Sequence, residues 1–365
     1  MKKPKLLCIL HRSPPAHGAA KVGDFIGESQ KLKEKYECKF ITIKSSDSIG
    51  EIGKINFKKL YLVGELYVKI LYSLMQFRPD KIYFTASVKG VAFYRDVLLS
   101  TIWKIYQKIK NVEVYYHYHT KGIDDFVNNS ALKLYLSRFF LKDVNLVLLS
   151  PLLSDDFNQV NTYKKIFFLP NGVEDNFREE EFESYIEQKD YKNINLLYLS
   201  NMIKSKGYFN VLKLAQVLQD TNYHFHFAGG WQNNEDMEEF FNYIKENSLE
   251  NSVTFHGFVN GEQKRKLFMK ASLFILPTKY EAFPLSLLEA FSYGLPVIST
   301  DEGSIPFIVD NDSGVIVSNL EELDLALDKT LDSLVNKETS YYCRKRYLNN
   351  FSLEQFEDNL VKLFY

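Results

Sequence analysis

Two glutamates in the second half of the sequence flank the start of a predicted helix in an apolar segment. Glu281 lies in the loop after a short apolar run, and Glu289 lies eight residues later within a helical pattern. Between Ala282 and Thr300, Glu289 is the only charged residue, and burying a lone carboxylate is costly unless it has a partner. Because an ionised carboxylate only accepts hydrogen bonds, sugar hydroxyls are suitable partners for both side chains.

The start of the same helix has the features of an anion site. The backbone N–H groups of Leu285 and Ser286 have no acceptor within a helix, and the positive end of the helix dipole lies beside them. Pro284 suits the first turn because no N–H is needed there, and Gly294 ends the pattern. These groups predict a site for a diphosphate attached to a sugar.

A lysine and a pair of histidines are further candidates. Lys206 precedes Gly207 where a predicted strand turns into a helix, so its ammonium group could be directed at phosphate oxygens. The alternative interpretation is a lysine on a solvated turn. His117 and His119 share one side of a strand, but no acid or cysteine nearby completes a metal site. We therefore expect no metal ion and no cofactor.

These motifs resemble the family-4 retaining glycosyltransferases, which have the two-lobed GT-B fold. The family signature, E-x7-E at the start of a helix, reads Glu281-AFPLSLL-Glu289 in this chain. The resemblance implies that Glu281 is catalytic and contacts the donor sugar near its 3- and 4-hydroxyls, and that Glu289 holds the nucleotide ribose. It also implies that main-chain atoms of Phe283, Leu285 and Ser286 line the diphosphate.

The resemblance assigns four further residues to the donor. It places Lys206 on the diphosphate and Gly18 in a loop beside the donor phosphate, before a helix that we expect to begin near Lys21. Asn201 stands where the family usually has a second diphosphate-binding cation, for which Lys204 is a candidate substitute. The loop with Phe258 (HGFV) is similar to one that approaches the nucleotide.

The remaining catalytic residue implied by the resemblance is a histidine at a strand end. His119, which adjoins the loop Thr120–Gly122, fits this position best, and His117 is the alternative. The histidine would lie near the 6-hydroxyl of the donor sugar and the reacting centre. An ordinary buried histidine at a strand end is the competing interpretation.

Two sets of short apolar strands alternating with amphipathic helices must position these residues. Such alternation predicts an α/β protein with two Rossmann-like, doubly wound lobes facing a central cleft. We expect an N-terminal lobe over residues 1–175 for the acceptor and a C-terminal lobe over residues 190–350 for the donor. The charged stretch 174–192 is the expected connector, and a last helix within residues 351–365 could pack on the first lobe.

The predicted strands are Lys5–His11, Cys38–Ile43, Lys81–Thr85, Val112–His119, Asn145–Leu149 and Ile166–Leu169 in the first lobe, then Asn195–Leu199, His224–Ala228, Ser252–Phe255, Leu273–Leu276 and Pro296–Ser299.

Composition places the chain among globular proteins and indicates two electrostatically different lobes. Of 365 residues, 45% are hydrophobic and 25% are charged, which excludes intrinsic disorder and collagen-like or disulfide-stapled classes. Three scattered cysteines favour a reducing compartment.

Residues 1–175 hold 27 Lys and Arg against 17 Asp and Glu, whereas the remainder is acidic. A basic lobe could attract an anionic membrane, with the helix Lys58–Met75 (Tyr61, Leu62, Leu66, Leu71, Leu74) as candidate contact.

These observations predict a cytoplasmic protein, or one held peripherally on the inner face of the cell membrane. The first apolar run, residues 6–10, is shorter than a signal peptide requires, and no uncharged stretch approaches the roughly 20 residues of a membrane span. We expect a retaining, metal-independent hexosyltransferase for surface polysaccharide synthesis. Its donor is a UDP-sugar or, second, a GDP-sugar, and its acceptor is a glycan or lipid-linked glycan.

Two alternatives stay open from the sequence. One is a nucleotide-sugar 2-epimerase, which uses the same two-lobed layout without an acceptor, although the E-x7-E motif in this form argues against it. The other is a non-catalytic binder of sugar nucleotides, since Asn201 replaces a family cation. Nucleic acid is not an expected partner, because only the basic first lobe favours it.

Overall fold

The computed structural model describes residues 2–14, 18–43, 57–219, 221 and 223–365 and, for residues 57–60, the backbone alone. Part of the predicted loop after the first strand, residues 15–17, lies outside this description. The chain forms two compact units, Met1–Asn171 with Glu354–Tyr365, and Gly172–Leu353. The second unit thus begins earlier than the expected residue 190. Among the described residues, no helix combines the length and apolar character needed to cross a membrane.

The first unit is built on a six-stranded parallel sheet. Its strands are β1 (Lys5–Leu10), β2 (Glu37–Thr42), β3 (Lys81–Ala86), β4 (Glu113–Tyr118), β5 (Asn145–Leu148) and β6 (Lys165–Phe168), in the order β2-β1-β3-β4-β5-β6. Its helices are α1 (Gly18–Glu28), α2 (Gln30–Lys35), α3 (Phe57–Phe77), α4 (Gly90–Ile109), α5 (Ile123–Val127) and α6 (Ala131–Leu141). Helix α3 packs on α4, and α4 packs on α6. Leu66 and Leu74 of α3 are core residues, which corrects their sequence-based assignment to a membrane contact.

Alternation of side chains along the strands gives this sheet two aromatic cores. Phe84 of β3 and Tyr116 of β4 point toward α4 and α6, where Trp103 donates an indole N–H to the Tyr116 hydroxyl at 2.8 Å. Their neighbours along the strands point to the other face, and the ring of Tyr83 packs there against Phe364. Both faces are therefore covered, which explains the nearly continuous apolar strands.

The second unit repeats the architecture with a different strand order. Its strands are β7 (Asn195–Leu199), β8 (His224–Ala228), β9 (Val253–Phe255), β10 (Leu273–Leu276), β11 (Val297–Thr300) and β12 (Gly314–Val317), in the order β12-β11-β10-β7-β8-β9, all parallel. Its helices are α7 (Glu179–Gln188), α8 (Tyr208–Val217), α9 (Asn234–Glu246), α10 (Gly261–Lys270), α11 (Leu285–Ser292), α12 (Ile305–Ile308), α13 (Leu323–Ser333) and α14 (Lys337–Asn350). The chain ends with α15 (Leu353–Lys362), whose residues from Glu354 belong to the first unit.

The sequence-based assignment of a connector over residues 174–192 was wrong for most of its length. Helix α7 occupies Glu179–Gln188 and buries Phe182 and Ile186, which are four residues apart and so share one face. The Arg178 backbone N–H and guanidinium both donate to Glu181 at the start of the helix. Phe182 and Ile186 alone are too weak an apolar pattern to predict a helix among so many charged residues.

Candidate functional site

The candidate donor residues of the second unit lie on loops and a helix at one edge of its sheet. Because all six strands are parallel, the segments that follow β7, β9, β10 and β11 leave from the same edge. These segments carry Asn201 and Lys206 after β7, Phe258 after β9, and Glu281 after β10. The topology therefore brings together residues that are as far as 80 positions apart in the sequence.

Glu281 and Lys206 form an ion pair at this edge. The Lys206 Nζ donates to Glu281 Oε2 and to the Tyr280 carbonyl oxygen, each at 2.7 Å. Glu281 Oε1 accepts the N–H of Ala282 at 3.0 Å. Both side chains are only about one-fifth exposed, at 18% for the lysine and 21% for the glutamate, so solvent screens the pair weakly. The pair fixes a carboxylate and a cation next to each other at the sheet edge.

Two glycines let neighbouring loops approach this ion pair closely. Gly207 has φ +81°, and a Cβ atom built on it would lie 2.0 Å from the Pro277 carbonyl oxygen. Gly303, in the loop after β11, has φ +57°, and its Cβ would lie 2.2 Å from the Glu281 carbonyl oxygen. Glu302 Oε1 accepts the Glu281 backbone N–H at 3.2 Å. Glu281 is thus held by the loop that carries it and by the loop after β11, a support that the sequence analysis missed.

Helix α11 begins at Leu285, as the sequence predicts, and Pro284 caps it. Pro284 is the residue before the helix, with φ −72° and ψ 117°, rather than a member of the first turn, because its ψ is extended. The Leu287 N–H donates back to the Pro284 oxygen at 3.3 Å. The N–H groups of Leu285 and Ser286 precede this bond and lie at the positive end of the helix. Phe283 is buried, so only its main chain could face a ligand.

Glu289 lies within α11 and pairs with a lysine that sequence reasoning did not identify. Lys264 of α10 donates from Nζ to Glu289 Oε1 at 2.7 Å, and Glu289 is only 8% exposed. Leu267 and Phe268, three and four residues after Lys264, are buried on the same face of α10. A lysine aligned with the apolar face of a helix is the signal that could have revealed this partner.

Three other donor candidates at this edge are more open. Asn201 is exposed, and Phe258 is 68% exposed. Lys204, the candidate substitute for the family cation, pairs with Asp236 at 3.3 Å and Glu239 at 2.7 Å on α9. The ammonium of Lys204 is therefore directed at α9 carboxylates, whereas that of Lys206 is directed at Glu281.

In the first unit, a glycine within helix α1 allows the helix to approach β1 closely. The helix begins at Gly18 rather than near Lys21, and among the described residues no atom lies within 4 Å of a Cβ added to Gly18. A Cβ on Gly23 would instead lie 1.8 Å from the His11 carbonyl oxygen. The glycine that the packing requires is thus Gly23, one turn further along the helix.

The two candidate histidines occupy different environments at the end of β4. His117 is fully buried, and its Nδ1 is hydrogen bonded to the Tyr83 hydroxyl. Burial, with a smaller contribution from His119, lowers the pKa of His117 well below its usual value. His119 follows the last residue of the strand, is half-buried, and has its ring 4.0 Å from that of His117. Of the two, His119 is the less buried.

Comparison with known proteins adds a family match in the second unit. Residues 178–346 match the model of the family described as Glycosyl transferases group 1. A curated relative, the alpha-galactosylglucosyldiacylglycerol synthase of Streptococcus pneumoniae, is 25% identical over 251 residues, which cover 65% of this chain and 64% of that protein. The first curated relatives are matched over 44% to 64% of their own length.

Solved structures resemble the chain over its whole length. Sucrose-phosphate synthase from Thermosynechococcus elongatus has a TM-score of 0.72 and 16% identity, covering 100% of this chain and 98% of that one. The Anabaena protein HepE, in complex with UDP and glucose, has a TM-score of 0.67 and 16% identity, covering 99% of each chain. At these identities the likeness establishes the fold, and it includes both six-stranded sheets.

Proposed function

We propose that this chain transfers a sugar from a nucleotide diphosphate to an acceptor hydroxyl. The premise is that the chain belongs to the Glycosyl transferases group 1 family and has the GT-B fold. A UDP-sugar is the favoured donor, because the similar HepE structure contains UDP and glucose. A GDP-sugar is the second choice. We further propose that the enzyme is a hexosyltransferase that retains the anomeric configuration.

The observation that carries this proposal is the pair of carboxylates at the start of α11, each with its own lysine. Glu281 is held by Lys206, and Glu289 is held by Lys264, both at 2.7 Å. A nucleotide-sugar has hydroxyls at its sugar and its ribose, and a diphosphate between them. Two carboxylates that accept hydrogen bonds, separated by the N–H end of a helix, match this order of chemical groups.

Each part of the donor then has a proposed ligand. Glu281 accepts hydrogen bonds from the sugar hydroxyls and is a catalytic residue, and Glu289 accepts them from the ribose. The N–H groups of Leu285 and Ser286, together with Lys206, bind the diphosphate. An ammonium group has three N–H donors, and the contacts of Lys206 with Tyr280 and Glu281 use two of them. The third donor is proposed to bind a phosphate oxygen.

Four further residues complete the proposed site. Phe283 contributes its main chain to the diphosphate, and Phe258 offers an exposed ring for the nucleotide. Asn201 is proposed to contribute a neutral donor where the family usually has a cation. In the first unit we propose that Gly18 lies beside the donor phosphate and that His119 contacts the donor sugar.

The proposed chemistry is separation of charge along the bond between the sugar and the phosphate. As this bond breaks, positive charge develops on the anomeric carbon and negative charge on the leaving diphosphate. Lys206 and the N–H groups at the start of α11 stabilise the leaving group, as oriented donors do for a developing anion. The positive charge that stabilises the leaving diphosphate thus comes from side chains and helix N–H groups. We propose no metal ion and no cofactor. The acceptor hydroxyl attacks the face of the sugar from which the diphosphate leaves, and the leaving phosphate accepts the proton of that hydroxyl.

The acceptor is proposed to be a glycan or lipid-linked glycan in the synthesis of a cell-surface polysaccharide. The name of the pneumococcal relative, which describes a glycolipid synthase, supports a lipid-linked acceptor. The basic character of residues 1–175 supports a location at the inner face of the cell membrane, whose anionic lipids attract basic segments.

The test is nucleotide release from a panel of UDP- and GDP-sugars, measured with and without glycan and lipid-linked acceptors. We expect release from one donor to depend on one acceptor, and Glu281→Ala to abolish it while the chain still folds, with thermal unfolding lowered by the loss of the Lys206 pair. Glu250→Gln, which removes an exposed carboxylate elsewhere in the second unit, is the matched control. Sugar isomerisation without any acceptor would instead support a 2-epimerase, and binding without turnover would support a non-catalytic binder.

A further inference from the structure

The end of strand β4 holds a buried histidine to which the proposed reaction gives no role. His117 is the next-to-last residue of β4 and is fully buried, and one residue separates it from His119. Because side chains alternate along a strand, His117 and His119 project from the same face of the sheet. Their rings lie 4.0 Å apart at an angle of 51°. His117 is therefore in contact with the histidine that is proposed to contact the donor sugar.

The hydroxyl of Tyr83 determines the orientation of the His117 ring. Tyr83 lies on β3, which pairs with β4, and its hydroxyl is hydrogen bonded to His117 Nδ1. Tyr83 is itself held in place, because it is fully buried and its ring packs edge-on against Phe364 at 5.7 Å. The χ2 torsion of a histidine is otherwise broad, so a hydrogen bond to one ring nitrogen selects one rotation of the ring. The tilt of the His117 ring toward His119 thus depends on a residue of the neighbouring strand.

A histidine at this position costs free energy that an apolar side chain would not. Among the described residues, the buried Nε2 atom of His117 has no hydrogen-bond partner. A buried polar atom without a partner destabilises a protein by about 1–3 kcal/mol. Burial also lowers the pKa of His117 well below its usual value, so the ring is neutral and presents no charge to His119. Packing alone therefore does not require a histidine here. An imidazole differs from an apolar ring in that Tyr83 can hold it in one orientation.

We propose that His117, oriented by the Tyr83 hydroxyl, is a positioning residue that holds the ring of His119 in the orientation needed for sugar transfer. The inference rests on the proposed function, in which His119 contacts the donor sugar. Because His117 is fully buried, it acts through its contact with the His119 ring and not through the donor. Misplacement of a group at a reacting centre by about 1 Å can lower a rate about 100-fold, so a ring that is free to turn should slow transfer.

The experiment compares Tyr83→Phe with the matched control Tyr115→Phe. Both substitutions remove only a hydroxyl and keep a ring on Phe364, against which Tyr115 packs at 5.1 Å. The Tyr115 hydroxyl instead donates to Glu113 at 3.3 Å. We expect Tyr83→Phe to lower kcat about tenfold and to leave the affinity for UDP unchanged, because UDP lacks the sugar that His119 is proposed to contact. Tyr115→Phe should match the native chain. Steady-state nucleotide release and titration calorimetry measure the two quantities.

A double-mutant cycle tests whether the hydrogen bond carries the effect. His117→Phe keeps a ring beside His119 but removes the nitrogen that is bonded to Tyr83. Because Tyr83→Phe and His117→Phe break the same bond, the double variant should lose no more activity than the more impaired single variant. Losses that multiply in the double variant would contradict a role for this bond.

Nuclear magnetic resonance of the histidine rings gives a measurement that needs no substrate and that a role in stability alone would not change. The signal of His119 is assigned by its absence from His119→Gln. We expect this signal to shift in Tyr83→Phe, because a turned His117 ring changes the ring current at His119. In Tyr115→Phe the signal should keep its native position.

Three further results would overturn the proposal. The first is a His119 signal that is the same in Tyr83→Phe and in the native chain. The second is an unchanged kcat in Tyr83→Phe, and the third is an equal loss of kcat in Tyr83→Phe and Tyr115→Phe. A native chain that transfers no sugar from any donor would instead count against the proposed function. In that case the His119 signal alone decides whether His117 holds the ring.

Discussion

The two units share one architecture but support their sheet edges differently. Each has a six-stranded parallel sheet with helices on its faces. In the second unit the edge is held by two lysine–glutamate pairs and by glycines that allow loops to approach within van der Waals contact. In the first unit the edge carries His119 beside the buried His117, and the close approach of α1 to this edge depends on Gly23, whose Cβ would lie 1.8 Å from the His11 carbonyl oxygen.

This difference agrees with the roles proposed for the two units. The family model matches residues 178–346, which lie within the second unit. The proposed ligand of that unit, a nucleotide diphosphate, presents the same groups in every donor, so the residues proposed to bind it have few alternatives. Acceptors differ among enzymes, and a unit proposed to bind them needs a common framework but no common side chains.

Loss of the Lys206 charge is expected to have the largest effect among the cations of the second unit. Lys206→Met should lower the rate of transfer about 100- to 1,000-fold, because an oriented cation beside the leaving diphosphate is removed. Lys204→Met, two residues away, should leave the rate unchanged, since that lysine pairs with carboxylates on α9 and not with Glu281. Steady-state nucleotide release measures both variants. Equal losses in the two would contradict the distinction drawn between these lysines.

Glycine substitutions test the difference in how the two edges are packed. Gly207→Ala should lower the free energy of unfolding by at least about 2 kcal/mol, because it adds a strained positive φ to a clash with the Pro277 carbonyl oxygen. Gly18→Ala should raise it slightly, by about 0.5 kcal/mol, since alanine favours helix and the position is open. Urea unfolding measures both changes. Equal stability of the two variants would contradict the packing assigned to Gly207 and Gly18.

The ion pair inside the second unit predicts a selective loss of donor binding. Lys264→Met leaves the carboxylate of Glu289 buried without its cation, which should weaken UDP binding by about 2 kcal/mol, or roughly 30-fold. Lys264→Arg should restore most of the affinity. Lys266→Met, on the exposed side of α10, is the control. Titration calorimetry with UDP would contradict this role for Lys264 if both methionine variants bound equally well.

Acid should destabilise both units through their buried histidines. In the second unit, burial and the nearby positive Lys270 lower the pKa of His226 to about 3. An unfolded histidine has a pKa of about 6.5, so between these values the unfolded chain binds a proton that the folded chain does not. The free energy of unfolding should therefore fall with decreasing pH, by about 1.4 kcal/mol per unit for each such histidine.

His226→Asn is expected to make the free energy of unfolding less dependent on pH. Urea unfolding at pH 7 and pH 5 measures the change. His117 in the first unit has a pKa shifted in the same direction, so some pH dependence should remain in the variant. An identical pH dependence in the variant and the native chain would contradict the assignment to His226.

Much of the fold could be predicted from sequence because the strands are short, apolar and buried on both faces. The bounds of β7, β8 and β10 agree residue by residue with the predicted ones. Strand β12 was missed, since it lies at the edge of the sheet and its apolar run spans only three residues after Gly314. Helices from α12 to α14 were also not predicted.

The candidate site was only partly predictable, because several of its contacts join distant parts of the chain. The Glu281–Glu289 motif is a local pattern and could be recognised directly. Lys264 is 25 residues from Glu289, and the two meet only because α10 and α11 flank the same strands. The need for glycine at position 303 likewise depends on a carbonyl oxygen of another loop.

A crystal structure of the full chain with UDP bound is the most direct test of the proposed donor site. We predict ribose hydroxyls within about 3 Å of the Glu289 carboxylate and phosphate oxygens at a similar distance from Lys206 and the first N–H groups of α11. A nucleotide bound away from this edge of the second sheet, or one whose phosphates contact neither Lys206 nor the start of α11, would contradict it.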